Sequence, residues 1–229
     1  MKHLCVILLF LSVMASSFIN PQKKTKVLFF GDSITQNGVL PDGFITKMGS
    51  IIKQSHLPNP IQLTGAGVSG NKVYDLYLRL ETDVLDQKPD IVFIYIGIND
   101  VWHKKTLQTG TDEDKFEKFY RAIITKLKAN NITVILCTPT VIGEKKNNAN
   151  EQDADLDKYS DIVRNLSKEF SLQLLDLRKI FVEYLQKNNS SNKEKGILTA
   201  DGVHLNGTGN SVVADEMWKS LQSVLPLNK

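Results

Sequence analysis

Five short apolar runs, separated by amphipathic segments, constrain the fold more than any other feature of this chain. Val27–Phe30 is the first run and Ile61–Thr64 a short second one. Ile91–Ile96 follows Lys88-Pro89-Asp90, Ile132–Cys137 follows Ala129-Asn130-Asn131, and Leu172–Leu175 is the fifth. Unbroken apolar runs, as opposed to alternation, mark parallel strands covered on both faces. Between them, Phe116, Phe119, Tyr120, Ile123, Ile124 and Leu127 share one helical face, and Leu156, Tyr159, Ile162, Val163 and Leu166 share another. Leu177–Gln186 and Val212–Val224 are the last helical segments. Strands alternating with helices imply right-handed crossovers, and therefore an α/β three-layer sandwich around a five-stranded parallel sheet. No internal repeat and no second domain is visible.

The ends read differently. Lys2 and His3 precede a nearly unbroken apolar run, Leu4 to Met14, and Ala15-Ser16-Ser17 supplies small residues suited to cleavage. This layout predicts a secretory signal peptide over residues 1–17. A membrane anchor is the alternative, but the run is shorter than the roughly 20 residues that a spanning helix needs. Residues 18–25 form a short tether, and residues 26–229 the domain. Export as a secreted or periplasmic protein follows, with no stable membrane insertion after cleavage. About 210 residues then remain, enough for one domain with a sizeable core.

Lys and Arg number 28 against 25 Asp and Glu, a net charge of +3 that falls to +2 without Lys2. So mild a balance argues against a nucleic acid or an anionic membrane as partner. Of two cysteines, Cys5 lies in the leader, and Cys137 is expected as a small buried core residue. No disulfide can then form in the mature chain.

The chemistry begins at Gly31-Asp32-Ser33, directly after the first apolar run. Ligands of open α/β sheets bind at the carboxyl ends of the strands. A serine in a strand-to-helix turn there is well placed to be a nucleophile, although the triplet is also ordinary turn chemistry. His204 is the favoured base. Asp201 stands three residues before it, close enough to fold back onto one ring nitrogen and leave the other facing a serine. An incidental histidine in a helix N-terminal turn fits the same spacing. Asn99, after the third strand, can donate to a developing oxyanion or simply close the strand in an Asx turn. Gly65-Ala66-Gly67-Val68-Ser69-Gly70 exposes backbone N–H groups after the second strand. Polar segments at His103–Asp114 and Gly143–Asp155 follow the third and fourth strands and should overhang the site, as surface connections or as substrate-recognising loops. Trp102 and His103 are candidate substrate-binding residues.

Taken in order, Gly31-Asp32-Ser33, Gly67-Val68-Ser69-Gly70, Gly97-Ile98-Asn99-Asp100 and Asp201-Gly202-Val203-His204 resemble the four blocks of the SGNH hydrolases, the GDSL esterase/lipase family. The resemblance spans residues 27–206 and implies a flavodoxin-like fold. It implies Ser33 as nucleophile, His204 as general base and then acid, and Asp201 as the orienting carboxylate. The oxyanion hole would comprise the N–H groups of Ser33 and Gly70 and the side chain of Asn99, with no cofactor and no metal. Two departures stand out. Ile34 replaces the leucine of the family name, and Gly65 or Thr64 stands where an asparagine often precedes the glycine block.

The function expected is a serine esterase acting on acyl, chiefly acetyl, esters of a carbohydrate or similar hydrophilic alcohol through an acyl-serine. A lysophospholipase or other lipid esterase of the family is the runner-up, although no long apolar stretch marks a lipid-docking lid. Two readings come from other classes. Gly65 to Gly70 also fits the G-x-G-x-x-G dinucleotide fingerprint, but it follows the second strand and not the first. A non-catalytic glycan-binding module is the other, and it leaves a full set of catalytic residue types without a purpose. The sequon at Asn206, two residues past His204, predicts an unglycosylated bacterial protein.

Overall fold

The computed structural model describes residues 24–225. The expected signal peptide lies outside the described residues. The strands are β1 (Thr25–Gly31), β2 (Ile61–Gly67), β3 (Ile91–Tyr95), β4 (Thr133–Cys137) and β5 (Gln173–Leu175). All pair in parallel, in the order β2-β1-β3-β4-β5. The helices are α1 (Ser33–Gly38), α2 (Phe44–Gln54), α3 (Val73–Asp83), α4 (Ile98–Thr106), α5 (Glu113–Ala129), α6 (Asp153–Phe170), α7 (Leu177–Asn188) and α8 (Gly207–Val224).

Successive strand residues point to opposite faces, and β1 shows how this builds three layers. Phe29 stacks on Phe93 at 5.0 Å and meets Phe44 of α2 edge-on at 5.8 Å. Its neighbour Phe30 faces the other layer, under Arg79 of α3. On the first face α2 packs against α8; on the second, α3 packs against α5 and α5 against α6. β3 is buried throughout and β4 from Val134 onward, as the unbroken apolar runs require.

Two expectations need correction. β2 continues three residues past Thr64, because its pairing with β1 runs on to Gly31↔Gly67. As an edge strand it is only half-buried, so its apolar pattern fades before its hydrogen bonds do. The polar segment from His103 is also not a loop throughout. α4 extends to Thr106, with Ile98 and Val101 buried and Lys104 and Lys105 in its last turn, leaving residues 107–112 as the connection. Lysines near a helix C-terminus complement its dipole, so a polar stretch can still be helical.

The order of strands reverses between β1 and β3, since β2 lies on one side of β1 and all later strands on the other. A crevice opens outside the carboxyl ends at such a switch point. Ser33 follows β1 and Asn99 follows β3, so both flank it.

Candidate functional site

β1 stops at Gly31 because the chain turns where no side chain fits. A Cβ there would lie 2.3 Å from both the Tyr95 carbonyl oxygen and Thr35 Oγ1. Asp32 then caps α1, its Oδ1 accepting from the Ile34 N–H at 2.9 Å. Ser33 is the first residue of the helix and 9% exposed. Its Oγ lies 3.0 Å from His204 Nε2. His204 Nδ1 in turn lies 2.7 Å from Asp201 Oδ2. The other carboxylate oxygen, Oδ1, accepts from the Val203 and His204 N–H groups at 2.9 and 2.8 Å. Burial alone would raise the pKa of Asp201, but these bonds outweigh it and hold the carboxyl below its usual range. The carboxylate three residues before the histidine therefore does fold back onto the ring, and the Ser33, His204 and Asp201 side chains lie in one relay.

Two further segments come together near Ser33. The Val68 N–H donates to the Gly31 carbonyl at 3.2 Å, and the Asn71 N–H to the Val68 carbonyl at 3.2 Å. Gly70 stands between them with φ +77, a left-handed backbone that favours glycine. Asn99, 2% exposed, donates through Nδ2 to the Asn71 carbonyl at 3.0 Å, so it is anchored on the glycine block instead of closing an Asx turn. Next to it, the buried Asp100 accepts from the Val73 N–H at 3.1 Å. Burial pushes the Asp32 carboxyl up to about 7 and the Asp100 carboxyl up to about 6.

On the base side an open groove of about 470 Å³ adjoins the relay. Trp102, Gly143, Lys145, Asn150, Glu194 and Asp201 are among the residues that line it. Trp102 also meets the His204 ring edge-on at 6.1 Å. Lys145 pairs with Glu194, and Lys105 with Glu151. The expected loop from Gly143 to Asp155 lines the groove with residues between Gly143 and Gln152, and its last three residues are instead the first turn of α6. His103 is placed differently from Trp102. It is buried, its Nδ1 has no hydrogen-bond partner among the described residues, and burial lowers its pKa. His56 lies between α2 and β2, before the amino end of that strand.

The dinucleotide fingerprint finds no support in the backbone. Gly65 and Gly67 sit inside β2, paired with Phe29 and Gly31, and α3 starts only at Val73. Glycines held in a strand do not cradle a pyrophosphate at a helix N-terminus. Cys137 is fully buried and its thiol pushed well up by that burial. Asn206 caps α8, accepting from the Gly209 N–H at 3.0 Å and donating to the Thr199 carbonyl at 3.3 Å, so its amide is engaged within the fold.

Two residues of the site give no signal in the sequence. Glu144 stands in a Lys- and Asn-rich run yet is 0% exposed. It accepts from the N–H groups of Ile197, Leu198 and Thr199 at 2.7, 2.7 and 2.5 Å, and from Thr199 Oγ1 at 2.7 Å. Thr199 Oγ1 accepts from the Gly202 N–H at 3.1 Å, so this buried carboxylate anchors the segment that carries Asp201 and His204. Arg79 lies under the opposite side of the site, among the ends of β1 and β2.

Residues 29–212 match the sequence profile of the GDSL-like Lipase/Acylhydrolase family. The chain is 31% identical over 207 residues to an acetylxylan esterase of Geobacillus stearothermophilus, covering 82% of this chain and 90% of that protein. The crystal structure of an acetyl xylan esterase, AlAXEase, superposes with a TM-score of 0.84 at 55% identity, covering 86% of this chain and 99% of the other. Structures of an acetylxylan esterase from G. stearothermophilus superpose with a TM-score of 0.77, covering 86% of this chain and 94% of theirs. They were solved as catalytic mutants with alanine in place of a serine, a histidine or an aspartate, and are 27% to 28% identical to this chain.

Proposed function

The chain belongs to the GDSL-like lipase/acylhydrolase family and is a serine hydrolase of carboxylic esters, and on that premise we propose that it removes acetyl groups from an O-acetylated carbohydrate outside the cytoplasm. The observation that carries this reading is the Ser33–His204–Asp201 relay opening onto a polar groove. The relatives named as acetylxylan esterases point the same way.

In this reading Ser33 Oγ attacks the acetyl carbonyl while His204 Nε2 takes its proton. Asp201 fixes the tautomer that leaves Nε2 free and stabilises the imidazolium. The oxyanion forms against the N–H groups of Ser33 and Gly70 and the Asn99 amide. His204 then returns the proton to the leaving sugar oxygen, which departs on the base side, where the groove lies. Water repeats the cycle and frees acetate. An open groove with paired lysines and glutamates on its walls suits a neutral, hydroxyl-rich alcohol better than an acyl chain. Residues 1–17 serve as a signal peptide, a reading that a relative from Bacillus subtilis, an uncharacterized lipoprotein 27% identical to this chain, supports.

The test is a substrate panel: acetylated xylooligosaccharides, acetylated monosaccharides, p-nitrophenyl esters from two to twelve carbons, and a lysophospholipid, each with Ser33→Ala as control. Acetate release from the sugars and a steep fall with acyl length are expected. Faster turnover of the lysophospholipid or the long-chain esters would sink the carbohydrate assignment.

A further inference from the structure

Arg79, in the second turn of α3, lies beneath the oxyanion side of the site. Its guanidinium sits 4.5 Å over the ring of the fully buried Phe30. Nη2 donates to the Gly31 carbonyl at 2.7 Å and to the Ala66 carbonyl at 3.0 Å. Nε donates to Asn71 Oδ1 at 2.7 Å, and Nη1 to Asp83 Oδ2 at 2.5 Å. One planar group thus holds the end of β1, the end of β2 and the residue that follows Gly70. The chain of contacts goes one step further, because the Asn71 carbonyl accepts the Asn99 amide. An amide has two N–H bonds. Engaging one on Asn71 fixes the plane of the Asn99 side chain and leaves the other to donate elsewhere.

We propose that Arg79 is a positioning residue for the reaction, setting the relative placement of Ser33, Gly70 and Asn99 so that their three donors converge on one oxygen. This role rests on the oxyanion hole of the proposed mechanism. Arg79 touches no reacting atom. It acts through Gly31, two residues before Ser33, and through Asn71, which both follows Gly70 and anchors Asn99. A rigid fork is needed for this, since a lysine ammonium is a single point that cannot span the Gly31, Ala66 and Asn71 acceptors together. Asp83 and Phe30 hold the fork itself. Donors preorganised toward developing charge act mainly in the transition state, so their misplacement lowers kcat more than it raises KM.

The experiment is a double-mutant cycle on acetyl ester hydrolysis, with thermal melts of each protein. Arg79→Met keeps an unbranched apolar side chain and removes the fork. Its kcat should fall roughly 10- to 100-fold with KM within about twofold. Arg79→Lys should be impaired to a similar degree. On an Asn99→Ala background, Arg79→Met should cost clearly less than it does alone, because one of the three donors it places is gone. A wild-type kcat in Arg79→Lys, or the same loss with and without Asn99, overturns the proposal while leaving the serine mechanism intact. An Asn99→Ala enzyme with undiminished kcat overturns the oxyanion assignment and this inference with it. Should the Arg79 variants fail to fold, Asn71→Ala cuts the link at a half-buried residue and enters the same cycle. Its kcat loss should likewise shrink on the Asn99→Ala background, and an equal loss on both backgrounds overturns the proposal.

Discussion

The two halves of the candidate site are held by different physics. Ser33, Gly70 and Asn99 follow β1, β2 and β3, and their spacing is inherited from strand register: Gly31 pairs with Gly67 on one side and with Tyr95 on the other. Asp201 and His204 lie in a segment whose only ladder contact among the described residues is an isolated bridge between Thr199 and Leu205. What holds that segment is the Glu144 carboxylate, with backbone support from the Gly143 N–H to the Gly202 carbonyl at 2.8 Å and the Glu144 N–H to the Glu194 carbonyl at 2.9 Å. A repeated backbone ladder shares strain over many bonds, whereas the second arrangement rests on fewer, four of them to one buried side chain. The base half should therefore open locally before the nucleophile half does.

The largest effect expected is on chemistry. Ser33→Ala should lower kcat by roughly 10⁴–10⁶ while thermal melting stays near the wild type, since no helix cap depends on the hydroxyl and Asp32 still caps α1. Turnover surviving that change would remove the nucleophile half from the comparison altogether. The next largest is Glu144→Gln. Glutamine keeps the volume but turns one acceptor oxygen into a donor facing a donating N–H. An unmet buried N–H costs about 1–3 kcal/mol. In a chain of this size each kcal/mol lowers Tm by about 2–4 °C. Hydrogen exchange should accelerate at the Ile197–Thr199 amides and not in β1 or β3. Equal acceleration in both places would mean that the two halves form one cooperative unit, with no difference in how they are held.

The same contrast explains what is legible in the sequence. Parallel strands announce themselves through apolar runs, and residues at their ends inherit an address, which is why Ser33, Asn99 and the alternation of strands with helices can be read directly. Asp201 and His204 are legible for a local reason, their spacing of three. Glu144 is not, because a carboxylate in Gly143-Glu144-Lys145-Lys146-Asn147 looks like a solvated loop, and its burial depends on Ile197, Leu198 and Thr199, far along the chain. Arg79 lies on a helix face with no distinctive pattern, and two of its four acceptors are backbone carbonyls, which no sequence displays. Trp102 and His103 read as one pair in the sequence. α4 continues through them, so they differ in exposure: Trp102 lines the groove and His103 is buried, although their rings stay 5.7 Å apart. What sequence withholds is long-range satisfaction of buried polar groups.

The smallest effect expected separates the halves by the sign of their pH response. Asp32, under the nucleophile, has a folded-state pKa raised by burial from 3.8 to about 7. Between these values the folded protein keeps a proton that the unfolded chain has released. Stability from this group is therefore greatest at low pH and declines as pH rises from about 4 to about 7, after which the buried charge is a constant cost. Asp201, in the base half, has the opposite sign. Its pKa is held below 3.8, so its contribution is present above that value and is lost as pH falls through the folded one. Asp32→Asn keeps the Oδ1 acceptor for the Ile34 N–H and removes the charge. At pH 8 it should melt roughly a few degrees above the wild type, and the gap should close as pH falls toward 4. Asp100, shifted in the same direction, repels the Asp32 carboxylate, so removing that charge also eases the ionisation of Asp100 and adds to the gap at high pH. A gap that stays constant across that range would mean Asp32 does not take up a proton there, and the two halves of the site would respond to acid alike.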